Sequence, residues 1–307
     1  MKNELFKISL VICTYNRSRY LPGSLESIKL QSYDKNLFEV IVIDNASTDD
    51  TAPIVKTFIF ENPNIHISYY YEKNKGLSFA RNRGIAEAKS PLIAYVDDDV
   101  ILTPDYLMEL MTFFDSNPAA AGAGGKVIPK YESGTEPVWM SKYLYGFVGN
   151  VNHGNEVKLF SPDMKYPAGC NMIYKKDILQ KAGGFNNDLR FRSDDKYIFY
   201  KVREVSDKIF YLPDAWLYHY IDSYRLDITN FKTLFLKTGN EEKRRLISEG
   251  NTTGLFKKLF EYLFKFSASF ILYFLFLFKG QPSKGKYVVI SQWNTLKGFM
   301  KKDVFVR

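Results

Sequence analysis

The feature that most narrows the possible folds is Pro91–Val100, P-L-I-A-Y-V-D-D-D-V, an apolar run that stops in three adjacent carboxylates. Leu92–Val96 is short, apolar and preceded by Ser90-Pro91, which predicts a buried strand. Asp97, Asp98 and Asp99 repel one another, and each is costly to bury without a partner. A divalent cation offsets that cost, and carboxylate oxygens are the ligands that Mg2+ and Mn2+ prefer. In an open α/β sheet, ligands collect at the carboxyl ends of the strands, where these acids would lie. A solvated acidic turn ahead of a helix starting near Pro104 accounts for the same residues, so the neighbouring segments have to decide.

Upstream, Lys7–Cys13 reads as a buried first strand, followed by a Thr14-Tyr15-Asn16-Arg17 loop and a helical pattern from about Tyr20 to Gln31. Phe38–Ile43 is a second strand ending in Asp44, and Asn45–Asp50 is a turn with N-cap chemistry. Ile65–Tyr71 is a third strand, and Leu77–Ala88 a helix carrying Arg81 and Arg83. Strands alternating with helices in this way indicate βαβ units and a parallel sheet. A dinucleotide-binding Rossmann domain fails at its diagnostic turn, because the first strand runs into C-T-Y-N-R and not G-x-G-x-x-G. A phosphate-binding G-x-x-x-x-G-K-[ST] loop is absent as well.

Beyond the acids, Pro104–Phe114 is a helix, Ala120–Ile128 a Gly-rich strand, and Pro129–Lys165 an irregular aromatic segment of the kind that carries function in α/β domains. Ala168–Tyr174 is a further strand and Lys175–Ala182 a helix. Ser193–Val205 is a helix with Asp194 and Asp195 in its first turn; Ile209–Leu212 and Ala215–Tyr220 are short strands, and Ile228–Ser248 is helical. With 307 residues, the chain divides into an α/β domain over residues 1–228 and a helical extension over 229–307. Cys13 and Cys170 sit in apolar stretches without metal-ligand spacing, which suits buried thiols in a reducing compartment. Met1–Lys7 leads straight into a strand, so no cleavable signal peptide is expected.

The net charge of +8 is concentrated at one end: from Lys232 onward there are 15 Lys and Arg against 5 Asp and Glu. A near-neutral body with a basic tail is not the charge pattern of a nucleic-acid wrapper. Inside that tail lies the most apolar stretch, Leu255–Phe278. Its charge-free part, Phe266–Phe278, measures roughly 20 Å as a helix and falls short of a hydrocarbon core of roughly 30 Å. A buried core helix is one reading. An interfacial or re-entrant segment is the other, favoured by the Phe/Leu/Tyr surface and by lysines at both ends (Lys257, Lys258 and Lys265; Lys279, Lys284 and Lys286).

Taken in order, V-I-C-T-Y-N-R, V-I-D-N-A-S-T-D-D-T, N-K-G-L-S-F-A-R-N-R-G-I and Y-V-D-D-D-V resemble the successive signatures of family 2 glycosyltransferases. The likeness continues through A-G-C-N-M-I-Y-K-K, the Asp194-Asp195 pair and L-P-D-A-W-L-Y-H-Y, over roughly residues 5–225. It implies a GT-A fold, a mostly parallel mixed sheet flanked by helices, and a metal-dependent, inverting transfer from a nucleotide-diphosphate sugar.

An ionised Asp44 only accepts hydrogen bonds, which suits the imide N–H of uracil, and the resemblance gives the matching aspartate that role. It further implies a donor side made of Thr14, Tyr15, Arg17, Asp44, Arg81, Asp97 and Asp98, with Tyr15 as a stacking face and Arg81 reaching the diphosphate. In an extended chain Asp97 and Asp99 point the same way and Asp98 the other. By resemblance Asp99 is the metal ligand for Mn2+ or Mg2+, and His219, in Y-H-Y, completes the site. Inversion needs a base opposite the leaving group. The family keeps it in a Glu-Asp pair opening a helix; here R-S-D-D-K puts Asp194 at the glutamate and Asp195 at the base. Asn171, Asp194 and Trp139 are acceptor-side candidates, and the acceptor is expected to be a glycan or lipid-linked. Anchored by its tail, the enzyme is expected as a peripheral or monotopic protein on the cytoplasmic side of the cell membrane. A non-catalytic nucleotide-sugar or glycan-binding module on the same fold is the alternative.

Overall fold

A computed structural model of the chain describes residues 6–161, 164, 166–189 and 193–301. Arg192 of the R-S-D-D-K run and three positions of the Pro129–Lys165 insertion (Pro162, Asp163 and Lys165) lie outside the described residues.

The chain packs as two compact units, the first made of residues 1–129, 149–190 and 194–220. Its elements begin β1 Ile8–Thr14, α1 Leu21–Lys29, β2 Phe38–Asp44, α2 Thr51–Glu61, β3 Ile67–Tyr71, α3 Leu77–Glu87 and β4 Leu92–Asp97. β1 and β2 are mostly apolar and buried on both faces, as parallel strands covered by helices must be, and the buried Ser9 hydroxyl donates to Glu39 at 2.7 Å. The order β3-β2-β1-β4 means that the chain winds outward from β1, then crosses back to its other side. The direction of winding reverses between β1 and β4, which is where an open α/β sheet leaves a crevice at its carboxyl edge. In register Thr14 lies beside Asp44, and Cys13 beside Asp97.

Past the acids come β5 Val100–Leu102, α4 Tyr106–Ser116, β6 Gly122–Tyr131, β7 Lys158–Leu159, β8 Asn171–Lys175, α5 Lys176–Lys181, α6 Asp194–Val205 and β9 Ile209–Ile221. β8 joins β4 antiparallel, β6 joins β8 antiparallel, and β9 pairs antiparallel with β5 and β7. The sheet is therefore parallel on one side of β4 and antiparallel on the other. Two short strands expected around Pro213 are one long strand. Pro213 lies between the residues of β9 that pair with β7, which end at Tyr211, and those that pair with β5, which begin at Leu217. β5 was not legible in the sequence because three residues after an acidic turn carry no periodicity.

Among the described residues, the second unit takes 130–148, Ser193 and 221–301. It holds a 3₁₀ turn at Lys142–Val148 and the helices α7 Ser223–Leu226, α8 Ile228–Ser248, α9 Thr252–Phe278 and α10 Pro282–Met300. Asp227 caps α8 by accepting from Thr229 N at 2.7 Å, and Asn251 caps α9 by accepting from Gly254 N at 2.7 Å. Phe147, Phe231 and Val288 form an aromatic-rich core. α10 packs on both α8 and α9. Glu242 and Arg245, buried on α8, pair at 3.0 Å, and Arg245 also reaches Glu249 at 2.7 Å, which offsets the cost of burying the charges.

α9 is not a core helix. Only 6% of its apolar window is buried, and Phe256, Phe260, Phe264, Ile271, Phe274 and Phe278 are all more than half exposed. By length and composition alone it can cross a membrane. The helix is longer than the charge-free run suggested, because Glu261 accepts from Lys258 at 2.6 Å and from Lys265 at 2.5 Å along one side.

Candidate active site

The crevice between β1 and β4 is built from strand ends. Asp44 closes β2, is buried, and has both oxygens engaged: Ser47 N donates to Oδ1 at 2.8 Å and the Tyr69 hydroxyl to Oδ2 at 2.6 Å. Thr14, at the end of β1, is buried, and Tyr15 turns outward, 44% exposed, with the Lys75 ammonium 5.2 Å from its ring centre. Asn16 braces this loop to the next: its N–H donates to Ser47 Oγ at 2.9 Å, and its side chain accepts from Thr48 N at 2.7 Å. Asn16 and Ala46, the residues just past β1 and β2, both have left-handed backbones (φ 52° and 63°), strain of the kind found where loops are held for function.

The three acids do not follow the extended-chain expectation. β4 ends at Asp97 and the chain turns at Asp98-Asp99 before β5, so the alternation of an extended strand does not run through the three acids. Asp98 and Asp99 are both buried and both take Arg17, whose Nε lies 3.0 Å from Asp98 Oδ1 and whose Nη2 pairs with Asp99. Burial pushes the Asp98 carboxyl up to about 7; Arg17 opposes the shift and Asp99 adds to it. Asp97 Oδ1 lies 3.6 Å from Arg81 Nη2, and Asp99, His219 and Arg17 are also close enough to act on its charge.

His219 comes to Asp99 through the sheet. It sits opposite Val100 in the β5–β9 ladder, Tyr220 N donates to Asp99 O at 2.8 Å, and His219 Nε2 is 3.4 Å from Asp99 Oδ2. Gly149, at φ 70°, lets its loop cross the far side of the imidazole; a Cβ there would come within 2.8 Å of Nδ1. Among the described residues no group of three or more His, Cys, Asp or Glu forms a ready-made metal cage. A carboxylate and an imidazole 3.4 Å apart nevertheless suit a cation that keeps waters and substrate phosphates as its other ligands. The donor set fits Mn2+ or Mg2+.

The structure packs the donor-side candidate Arg81 and the acceptor-side candidates Asp194, Asn171 and Trp139 against neighbours within the protein. Arg81 is not open to the crevice: it is 3% exposed and pairs with Asp194, itself 3% exposed, so neither is a surface contact. Asn171 is fully buried, its amide shared between the Lys126 and Ala215 carbonyls at 3.2 and 3.1 Å and its oxygen accepting from the Tyr106 hydroxyl at 2.8 Å. It ties β8 to its neighbours and has no part left for an acceptor. Trp139 belongs to the second unit and is half-buried, with its ring stacked on Tyr287 at 4.2 Å and edge-on to Phe231. Asp195 remains half-buried in the first turn of α6, with Oδ1 accepting from Lys196 N at 2.7 Å, close enough to Arg81 for their charges to interact. Tyr69 and Asn16 were missed because nothing in their spacing marks them; the one signal was their position at or just beyond strands that end in site residues.

A mixed sheet with this winding, with acids at the carboxyl ends of β2 and β4, is a fold that solved structures share. A mannosyltransferase from Pyrobaculum calidifontis, in complex with GDP-Man and Mn2+, superposes with a TM-score of 0.62 at 14% identity, covering 95% of this chain and 88% of that one. Residues 1–349 of Staphylococcus aureus TarS in complex with UDP-GlcNAc superpose with a TM-score of 0.55 at 17% identity, covering 95% and 90%. The sequence profile of Glycosyl transferase family 2 matches residues 9–183, and the chain belongs to that family. It is a glycosyltransferase with a GT-A fold. The Haloferax volcanii glucosyl-dolichyl phosphate glucuronosyltransferase is 23% identical over 232 residues, 72% of this chain and 71% of that protein. TarS, a poly(ribitol-phosphate) beta-N-acetylglucosaminyltransferase, is 23% identical over 209 residues, of which this chain spans only 36% of the relative's length.

Proposed function

We propose that the protein transfers a sugar, with inversion, from a UDP-linked donor to a hydroxyl of a glycan or lipid-linked acceptor in cell-surface polysaccharide or glycoconjugate synthesis. One observation carries this reading: Asp44, Asp97 and the Asp98-Asp99 turn line up at one edge of the sheet, flanking the crevice between β1 and β4. Asp44, fixed by Tyr69 and Ser47 N, offers a pure acceptor to the imide N–H of uracil. Tyr15 presents an exposed ring for the base. Arg17 pairs with Asp98 and Asp99 and would add its positive charge to the donor side of the crevice. Asp99 and His219 would hold Mn2+ or Mg2+, which supplies Lewis-acid stabilisation of diphosphate charge. Asp195 takes the proton of the acceptor hydroxyl, using lone pairs not engaged by Lys196 N.

The exposed apolar face of α9 and the basic tail support residence on an anionic membrane surface, on its cytoplasmic side, where lipid-linked acceptors are available. At 27 residues the helix is about 40 Å long, enough to lie in the interface or to span with tilt.

The test is Asp195→Asn. It is expected to lower turnover by about 10²–10⁴-fold with donor affinity unchanged, and proton NMR of the wild-type product is expected to show an inverted anomer. Loss of donor affinity with turnover intact at saturation would mean that Asp195 is not the base.

A further inference from the structure

We infer that Arg81 is a positioning residue: its buried guanidinium fixes the first turn of α6, and with it Asp195, relative to the donor-side acid Asp97. This rests on Asp195 being the general base. Arg81 Nη1 pairs with Asp194, the first residue of α6, while Nη2 lies 3.6 Å from Asp97 Oδ1 and donates to Gly169 O at 3.1 Å. Three segments distant in sequence, the end of β4, the loop before β8 and the start of α6, therefore meet on one side chain of α3.

The side chain is buried between two aromatic rings. Its guanidinium lies 5.9 Å from the Tyr95 ring centre and 5.5 Å from that of Phe185, and the Tyr95 hydroxyl donates to Arg81 O at 3.0 Å. Gly169 is required by the contact, because a Cβ there would come within 2.6 Å of Nη2. A planar fork fixes the bearing of two carboxylates at once, which a lysine ammonium cannot do. Asp194 is as buried as Arg81, so each charge depends on the other. A base adjacent to Asp194 inherits its placement, and misplacing a reacting group by about 1 Å costs about 100-fold in rate.

The experiment compares Asp194→Asn, Arg81→Lys, the double variant, and each single in an Asp195→Asn background. Turnover is read as UDP release from a panel of UDP-sugars, and donor-site binding as the Kd of UDP titrated with Mn2+ present. Asp194→Asn and Arg81→Lys are each expected to lower kcat about 10- to 100-fold, with the UDP Kd at its wild-type value. The double variant is expected to be no worse than the poorer single, because the pair acts as a unit. In Asp195→Asn neither change is expected to lower kcat further. If either multiplies the Asp195→Asn loss, the positioning inference falls and the base assignment stands. If Asp195→Asn alone keeps full kcat, the base assignment falls and takes the inference with it. A weakened UDP Kd with unchanged kcat would make Arg81 a donor contact and overturn the inference. Should Arg81→Lys fail to fold by circular dichroism, Gly169→Ala, which presses on the same Nη2, is expected to reproduce the kcat loss.

Discussion

The hydroxyl of Tyr69, on β3, donates to Asp44 Oδ2, at the end of β2, across 2.6 Å. Burial, and the carboxylate it serves, push that hydroxyl well above the ordinary tyrosine range, so it stays a donor at any physiological pH. Tyr69→Phe removes a hydrogen bond to a charged group, a contribution of about 1.5–3 kcal/mol. The expected outcome is a donor Kd raised by about tenfold with kcat at saturation little changed. A Tyr69→Phe enzyme whose kcat falls while its Kd holds would place Tyr69 in the chemistry and not in base recognition.

Asp99 and His219 are expected to act as one metal site. Asp99→Asn should abolish transfer while leaving the fold intact, since losing one of three crowded acids relieves repulsion in the metal-free protein. His219→Ala should weaken Mn2+ binding, measured by calorimetry, by about 10- to 100-fold and raise the Mn2+ concentration needed for half-maximal rate. Full activity in excess chelator would remove the metal from the scheme.

Asp98 gives the metal-free protein a definite pH signature. Its carboxyl titrates at about 7 when folded against an ordinary 3.8, so between those values the folded chain holds a proton the unfolded chain has released. That contribution to stability is full below the unfolded value and is lost as pH rises through about 7. The wild type is expected to melt at a higher temperature near about pH 5.5 than near about pH 8, and Asp98→Asn, a mimic of the protonated form, should flatten the difference. A thermal-melt series in which Asp98→Asn keeps the wild-type slope contradicts this.

The membrane proposal is best tested by charge and not by truncation, because α10 packs on both α8 and α9. Phe264, Ile271 and Phe274 are exposed by 72, 64 and 53%. Replacing all three by Glu should leave the fold unchanged and release the protein from vesicles containing phosphatidylserine, measured by sedimentation. Equal sedimentation of the variant and the wild type would show that α9 is not the anchor.

The sequence by itself determined the parallel half of the sheet, since Ile8–Thr14 and Phe38–Asp44 are apolar runs that only a doubly covered strand can bury. It also determined where the acids lie along the chain, because strand ends are visible wherever an apolar run stops in charge. The expectation that α9 is apolar and basic at its flanks was likewise present in composition, although its exposure was not. The pairing of charges was decided only by tertiary structure. Arg81 and Asp194 are separated by 113 residues and Arg17 and Asp99 by 82, and no local period encodes a contact made by folding three segments together. For the same reason Asn171, chemically suitable for binding sugars, is consumed by the β-sheet, and Trp139 stacks on Tyr287 beside an aromatic core. Residue type limits what a side chain can do; whether it faces a crevice or a neighbour depends on burial, and burial is a property of the packed chain.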